Sequence, residues 1–220
     1  MKKLVGLTLA LALVVGSANA VTVGLGPGNV GIFGGGYNVV GTDIYIWEDW
    51  GTSGAGILIL DELVDFEDYT VTKYITNNSG SDWDRFAMEL LDPAGNPNDE
   101  FDLPTEAWVP AGWTHSNEGD GLSFAQGSGI PRTSTSFASR VDDEFGQRDY
   151  MDFFDGLVSG AGGQDTISFG LRNHTSENEP FLLAQRPNQA TGGPEIPEPT
   201  TMVLFGLGLA GVAIRNRFKK

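Results

Sequence analysis

The sequence predicts an all-β protein, a single antiparallel β-sandwich domain, on three observations. Glycine provides 31 of the 220 residues, about twice the usual share of roughly 7%, which indicates many turns. Short stretches rich in β-branched and aromatic residues recur at spacings near the roughly 8–12 residues typical of a sandwich. The chain has no cysteine, so no disulfide supports the fold and the packed core alone must hold the domain together. These features favour a jelly-roll or immunoglobulin-like sandwich over residues 21–186.

The N-terminus is predicted to be a secretory signal peptide, residues 1–20. Two lysines precede the apolar run Leu4–Val15, and Ala18 and Ala20 form an A-x-A cleavage site. Because this run is short for a permanent anchor, we expect cleavage and a mature chain that begins at Val21.

The first half of the domain is predicted to contain a loose glycine-rich arm, residues 21–36, and then strands. Tyr37–Trp47 is rich in Val, Ile and Tyr, which predicts one strand in which Gly41 is a candidate bulge. Ile57–Leu60 is short, apolar and preceded by glycine, as in a buried strand.

A β-hairpin is predicted over residues 69–90. Tyr69–Thr76 is dense in β-branched and aromatic residues, Asn77–Gly80 has turn chemistry, and Trp83–Leu90 alternates bulky with polar residues. In the second strand the alternation places Phe86, Met88 and Leu90 on a buried face. Arg85 and Glu89 are then expected on a face in contact with water.

The rest of the domain is predicted to add short strands and then a linker. The strands are expected at Leu122–Ala125, Thr133–Ser139, Tyr150–Phe154, Thr166–Leu171 and Phe181–Ala184. Residues 187–196, which contain proline and glycine, have the composition of a linker.

The C-terminal segment, residues 197–220, has the features of a membrane anchor. Pro197, Glu198 and Pro199 precede the apolar run Met202–Ile214, which as a helix would be roughly 20 Å long against a hydrocarbon core of about 30 Å. The run is followed by the basic residues Arg215, Arg217, Lys219 and Lys220. Basic side chains can extend to the membrane interface, so a short transmembrane helix is predicted with its end in the cytoplasm.

This segment resembles the PEP-CTERM sorting signal of Gram-negative bacteria, in the Pro197-Glu198-Pro199 motif, the membrane segment and the basic tail. The resemblance implies processing by an exosortase, an integral-membrane enzyme. It also implies delivery to the cell surface or to an extracellular polysaccharide matrix, after a transient stay in the inner membrane.

The charge balance excludes some partners. Residues 21–193 contain 27 of the 29 acidic residues but only 7 of the 13 basic ones. Such a surface repels nucleic acid and anionic lipid and attracts cations.

No catalytic motif emerges from the domain. The two histidines, His115 and His174, lie in polar surroundings, and the absence of cysteine argues against zinc and Cys–His chemistry. The nearest approach to a G-x-S-x-G motif surrounds Ser123 but lacks the last glycine, so Ser123 is interpreted as an ordinary strand residue. No cofactor is predicted.

Calcium is the one ion that the sequence supports, because Ca²⁺ requires six to eight oxygen ligands. Two acidic loops offer such ligands. The first contains Asp92, Asn96, Asn98, Asp99 and Asp102, and the second contains Asp142, Asp143, Glu144 and Asp149. Turn formation and solubility are nevertheless the favoured explanation of both loops.

Two functions remain open for the domain. The first is a structural or carbohydrate-binding role in the envelope or exopolysaccharide, in which exposed members of the set Trp47, Trp50, Trp108 and Trp113 stack on sugars. The alternative is a secreted polysaccharide hydrolase, which needs two convergent carboxylates about 5–10 Å apart in a cleft.

The tail generates the first prediction. In a host that has the exosortase, the mature protein should begin at Val21 and end before Met202, because the proline-fixed backbone at Pro197 and Pro199 is extended and accessible to a protease. Intact-mass analysis of the secreted protein measures both ends. Unchanged release after replacement of Pro197, Glu198 and Pro199 by alanine would contradict the prediction.

Overall fold

The structure, a computed structural model, describes residues 21–95, 106–116, 121–144, 148–174 and 180–188. Within these ranges the chain forms strands and turns but no helix, so the all-β prediction is confirmed. The described part contains no helix that is long and apolar enough to span a membrane. The predicted signal peptide and the predicted C-terminal helix both lie outside the described residues.

The strands are β1 (Thr22–Leu25), β2 (Ile32–Val40), β3 (Asp43–Trp50), β4 (Gly56–Asp61), β5 (Asp68–Asn77), β6 (Phe86–Pro93), β7 (Trp113–His115), β8 (Leu122–Ser123), β9 (Thr133–Ser134), β10 (Phe137–Asp143), β11 (Tyr150–Gly156), β12 (Gly163–Asn173) and β13 (Phe181–Pro187).

The strands form two sheets. The first, sheet A, has the order β1-β4-β13-β6-β11-β10, with β7 beside β6; the second, sheet B, has the order β2-β3-β5-β12-β8, with β9 beside β12. The prediction of a purely antiparallel domain is wrong, because β3 and β5 pair in parallel. The chain passes from β3 through β4 in sheet A before it returns as β5, and this crossover gives β3 and β5 the same direction.

One hydrophobic core joins the inner faces of the two sheets, as in a sandwich. Sheet A contributes Leu60, Met88 and Leu183, and sheet B contributes Val71 and Phe169, all of them buried. A smaller cluster on the outer face of sheet A contains Ile57, Leu91, Val109, Leu182 and Ala184.

The strands of the central domain pair in a nested pattern. β4 pairs with β13, β5 with β12 and β6 with β11, so each strand lies beside a partner from the opposite half of the chain. The ion pair of Asp68 with Arg172, at the end of the β5–β12 pair, joins residues 104 positions apart. Such long-range pairing is costly in loop-closure entropy and is typical of slowly folding β-proteins.

The predicted hairpin over residues 69–90 is wrong. β5 belongs to sheet B and β6 to sheet A, so the two strands do not pair. The turn itself forms: Asn77 Oδ1 accepts the backbone N–H of Ser79 at 3.0 Å. It carries the chain from one sheet to the other because β12 and β3 occupy both edges of β5.

The prediction of which side chains of β6 are buried and which contact water is half correct. Phe86, Met88 and Leu90 lie in the shared core as expected. Glu89, expected in water, is also fully buried. The reason is that the segment of residues 106–116 lies against the outer face of sheet A and covers it, which an alternating pattern within β6 does not reveal.

The N-terminal region differs from the predicted loose arm and single strand. Residues 22–25 and 32–40 are strands, and the stretch predicted as one strand over residues 37–47 is a hairpin of β2 and β3. Gly41 is the first residue of its two-residue turn, with φ of 63°, and glycine is preferred there because the conformation has a positive φ. The register irregularity lies instead between Ile32 and Gly34.

The core generates the second prediction. Phe86 is 1% exposed and packs edge-on against Trp50, so Phe86→Ala should lower the free energy of unfolding by about 3–5 kcal/mol. Phe33 is 71% exposed, so Phe33→Ala should change it by less than about 0.5 kcal/mol. Chemical denaturation measures both free energies of unfolding. If Phe86→Ala and Phe33→Ala lower the free energy of unfolding equally, the packing of Phe86 does not stabilise the core.

Candidate functional site

The outer face of sheet B presents an exposed pair of aromatic side chains. Along β3 the side chains of Ile44, Ile46 and Glu48 point inward and are buried, so Trp47 points outward. Trp47 pairs in register with Tyr74 of β5, and their rings are stacked, with centroids 5.7 Å apart and planes 15° from parallel. Trp47 is 45% exposed and Tyr74 is 38% exposed. Such a pair is a stacking surface that water can reach.

Small and polar residues surround this pair. In the same row of the sheet, Gly36 lies beside Trp47 and Thr166 lies beside Tyr74. Gly36 has no other atom within 4 Å of the place where a Cβ would be, so the ring of Trp47 is open on that side. The two neighbouring rows carry Asn38, Tyr45, Thr72 and Ser168 on one side and Gly34, Asp49, Thr76 and Gln164 on the other. We call these three rows the aromatic platform.

A buried ion pair lies directly beneath the aromatic platform. On the opposite face of the same strands, Lys73 Nζ lies 3.0 Å from Glu48 Oε1, and both side chains are buried. Burial lowers the pKa of the Lys73 amine below its usual range, although the nearby Glu48 carboxylate acts in the opposite direction. Trp50 Nε1 donates to Glu48 Oε2 at 3.0 Å, and Gln185 Nε2 donates to Glu48 Oε1 at 2.9 Å. These contacts fix β3 and β5 relative to each other beneath the platform.

A cavity of about 230 Å³ opens between the edges of the two sheets. Its walls come from β1 and β2 together with Ile46, Glu48 and Leu58. Glu48 is the one carboxylate in its lining, and its two oxygens already bind Lys73, Gln185 and Trp50. This cavity therefore lacks the pair of carboxylates that the hydrolase alternative requires.

A second charged cluster lies between sheet A and the covering segment, residues 106–116. Arg148 donates to Glu89 from Nε at 2.6 Å and from a terminal nitrogen at 2.8 Å, and Arg186 donates at 3.0 Å. His115 Nδ1 lies 2.7 Å from the same carboxylate. Burial alone would raise the pKa of Glu89, but the hydrogen bonds from His115 and Arg148 outweigh it and hold the pKa below its usual range. The cluster fastens the segment to the sheet.

Ser123 lies on β8, as the sequence predicts, but it has a partner that the sequence did not reveal. Ser123 Oγ is 3.0 Å from His174 Nε2, and it also accepts the backbone N–H of Ala125 at 3.2 Å. Burial, followed by the charge of Arg172, lowers the pKa of His174, so its ring is neutral at pH 7 and able to accept the hydroxyl proton. A catalytic triad would need a third group that orients the ring, and Asp68, the nearby carboxylate, is bound by Arg172.

The four tryptophans suggested for sugar stacking separate into different environments. Trp47 is on the aromatic platform, whereas Trp50 is fully buried in the core, so the suggestion is wrong for Trp50. Trp108 is covered by the Arg186 guanidinium, 3.9 Å from the ring centroid. Trp113 is partly buried against the outer cluster of sheet A.

The structure describes only part of the calcium loops. Asp92 is buried at the end of β6, and Asn96, Asn98, Asp99 and Asp102 lie outside the described residues. In the second loop Asp142 and Glu144 form ion pairs with Arg132, and Asp149 accepts a hydrogen bond from Ser116 at 3.1 Å. Among the described residues no group of three or more His, Asp or Glu side chains could hold a metal ion. Calcium binding stays a prediction.

Of the terminal site residues, only Val21 lies in the described part. Its side chain is 7% exposed and belongs to the shared core, so the predicted cleavage would leave a core residue at the new N-terminus. The others lie outside the described residues: Ala18, Ala20, Pro197, Glu198, Pro199, Arg215, Arg217, Lys219 and Lys220.

Every basic side chain of residues 21–193 is engaged inside the domain. Lys73 and five of the arginines form ion pairs with carboxylates, and Arg85 lies over the ring of Phe154. The five are Arg132, Arg140, Arg148, Arg172 and Arg186. The surface charge that remains is negative, and on the platform the exposed charged side chain is that of Asp49.

Comparison with known proteins identifies the C-terminal segment. A model of the PEP-CTERM protein-sorting motif matches residues 195–217, which confirms the resemblance that the sequence suggested. The chain thus carries the signal of an exosortase-targeted protein that is exported across the membrane to the cell surface or the extracellular space. Neither the curated proteins nor the solved structures gave a significant match.

The Glu89 cluster generates the third prediction. Glu89→Gln should lower the free energy of unfolding by about 3–5 kcal/mol at pH 7, because it leaves Arg148 and Arg186 without their shared counter-charge. Since the pKa of Glu89 is depressed in the folded state, its stabilisation is present above the unfolded carboxyl pKa of about 4.3 and is lost as pH falls toward the folded value.

Denaturant titrations at pH 7 and pH 3 should therefore show a smaller difference between wild type and Glu89→Gln at the lower pH. The control is Glu67→Gln, a change at an exposed carboxylate, which should have little effect at either pH. If the difference in the free energy of unfolding between wild type and Glu89→Gln stays constant with pH, the ionised Glu89 carboxylate is not the source of the stabilisation.

Proposed function

We propose that this exported protein binds glycans of the cell surface or extracellular matrix through the aromatic platform. The single observation that supports it is the stacked, exposed pair Trp47–Tyr74, surrounded by hydroxyl and amide groups. Aromatic rings stack against the apolar faces of sugar rings, and neighbouring hydroxyl and amide groups satisfy the hydrogen bonds of the sugar. The exosortase-targeting signal supports this proposal, because a protein at the cell surface or outside the cell can meet such glycans.

The charges of the platform indicate the class of glycan. An acidic polysaccharide would need free lysine or arginine side chains, but all seven cations of the domain are already engaged. Exposed Asp49 lies next to Trp47 in the outward-facing row of β3. Like charges disfavour binding, so the proposed ligand is a neutral or amino-bearing glycan.

The nested strand order supports a jelly-roll topology as the finer description of the domain. Successive strands β4, β5 and β6 alternate between the sheets, and each pairs with β13, β12 and β11 in turn. A long two-stranded ribbon rolled into two sheets has this order, and double-sheet jelly rolls are common in carbohydrate-binding domains. The topology alone does not specify the ligand.

The fourth prediction tests the platform. Trp47→Ala and Tyr74→Ala should each weaken glycan binding about two- to tenfold, since loss of an aromatic stack costs about 0.5–1.5 kcal/mol and 1.4 kcal/mol is a factor of ten. Isothermal titration of the secreted protein against panels of neutral, amino-bearing and acidic polysaccharides measures this. The control is Phe66→Ala, at a ring that is 72% exposed but outside the platform.

Binding that survives both substitutions would place the ligand elsewhere on the molecule. Preferential binding of the acidic polysaccharides would contradict the proposed class of glycan. Release of reducing sugar ends during the same titrations would favour the hydrolase instead.

A further inference from the structure

An amine, a carboxylate and a carboxamide meet in the core between the two sheets. Lys73 extends inward from β5 of sheet B, and Gln185 extends inward from β13 of sheet A. Lys73 Nζ lies 3.0 Å from Glu48 Oε1, and Gln185 Nε2 donates to the same oxygen at 2.9 Å. Lys73 and Gln185 are fully buried, and Glu48 is 2% exposed. The amine and the carboxamide are therefore held on one carboxylate oxygen, across the sandwich.

The surroundings favour reaction of the amine. The ring of Phe86 lies 5.5 Å from Lys73 Nζ, and Trp50 binds the other oxygen of Glu48. Burial in such an apolar site lowers the pKa of the Lys73 amine, although the Glu48 carboxylate opposes the shift. The lowered pKa makes the neutral amine, which is the nucleophilic form, easier to reach. Gln185 Oε1 has no hydrogen-bond partner within the described part of the chain, so the carboxamide is held there through its nitrogen alone.

We propose that Lys73 and Gln185 form an intramolecular isopeptide bond, with Glu48 as the group that transfers the protons. Glu48 first accepts a proton from the Lys73 ammonium, which turns the ion pair into a neutral amine and a neutral carboxyl group. Nζ then attacks Cδ of Gln185, and Glu48 gives its proton to the carboxamide nitrogen as the C–N bond breaks. Ammonia leaves, and the second proton of Nζ returns to Glu48. The products are one secondary amide, one ammonia and a protonated Glu48.

The bond would remove a buried ion pair and join the two sheets covalently. A buried ion pair is stabilised only when its contacts compensate for lost hydration, and the reaction replaces it with neutral groups. In a chain without cysteine, the bond would cross-link β5 to β13 as a disulfide does in other exported domains.

The fifth prediction is a change in mass. The folded, purified full-length protein should be lighter by one ammonia than its sequence requires, once its termini are known. After denaturation, trypsin should fail to cut at Lys73, and fragment spectra should show the peptide that contains Lys73 joined to the one that contains Gln185. Lys73→Met, Gln185→Met and Glu48→Gln should each restore the full sequence mass.

The control is Gln164→Met, at an exposed glutamine on β12, which should keep the loss of ammonia. A wild-type protein of full sequence mass that is cut by trypsin at Lys73 overturns the proposal, and this result needs no variant to fold. Simple deamidation of Gln185 would raise the mass slightly and leave the peptides separate, which also overturns it.

Discussion

The insertion of β13 between β4 and β6 is the constraint on which the rest of the domain depends. All seven residues of this strand are buried. Leu183 points into the shared core and Leu182 into the outer cluster, while Gln185 and Arg186 reach the two charged clusters on opposite faces of sheet A. One strand thus completes the packing on both faces of sheet A, between two neighbours, β4 and β6, that come from much earlier in the sequence.

The domain has few positively charged side chains, and this affects both its stability and the charge of its surface. Most cations of residues 21–193 hold distant segments together: Lys73 supports β3 and β5, Arg148 and Arg186 hold the covering segment through Glu89, and Arg172 closes the end of the β5–β12 pair. The cations that reach the surface, such as Arg172 and Arg140, are paired there with Asp68 and Asp142. Because acidic residues far outnumber basic ones, the net charge of the domain is negative. The proposed ligand class therefore follows from the use of these cations in ion pairs within the domain.

Local signals in the sequence predicted the strands but not their partners. Ile57–Leu60, Thr166–Leu171 and Phe181–Ala184 are strands because β-branched and apolar residues are concentrated there, and these predictions are confirmed. The partner of a strand can lie more than a hundred positions away, as Gly56 of β4 does from Gln185 of β13, and no local pattern encodes this. The alternation in β3 did contain a usable signal: Ile44 and Ile46 define the inner face, so Trp50 belongs inside and Trp47 outside. The inward positions of Glu48 and Lys73, one charge of each sign, likewise indicated a buried pair.

The position of the last strand also sets the distance between the folded domain and its sorting signal. β13 ends at Pro187, and residues 188–196 precede Pro197, so even a fully extended connection is at most about 30 Å long. Pro187 pairs with Phe86, and Phe86 packs against Trp50, so β13 ends near the end of the sandwich where Trp50 pairs with Asn77. An enzyme that acts at Pro197 must therefore bind this segment within that distance of the folded domain. A protein that stayed attached through this tether would keep its folded domain within that distance of the attachment point.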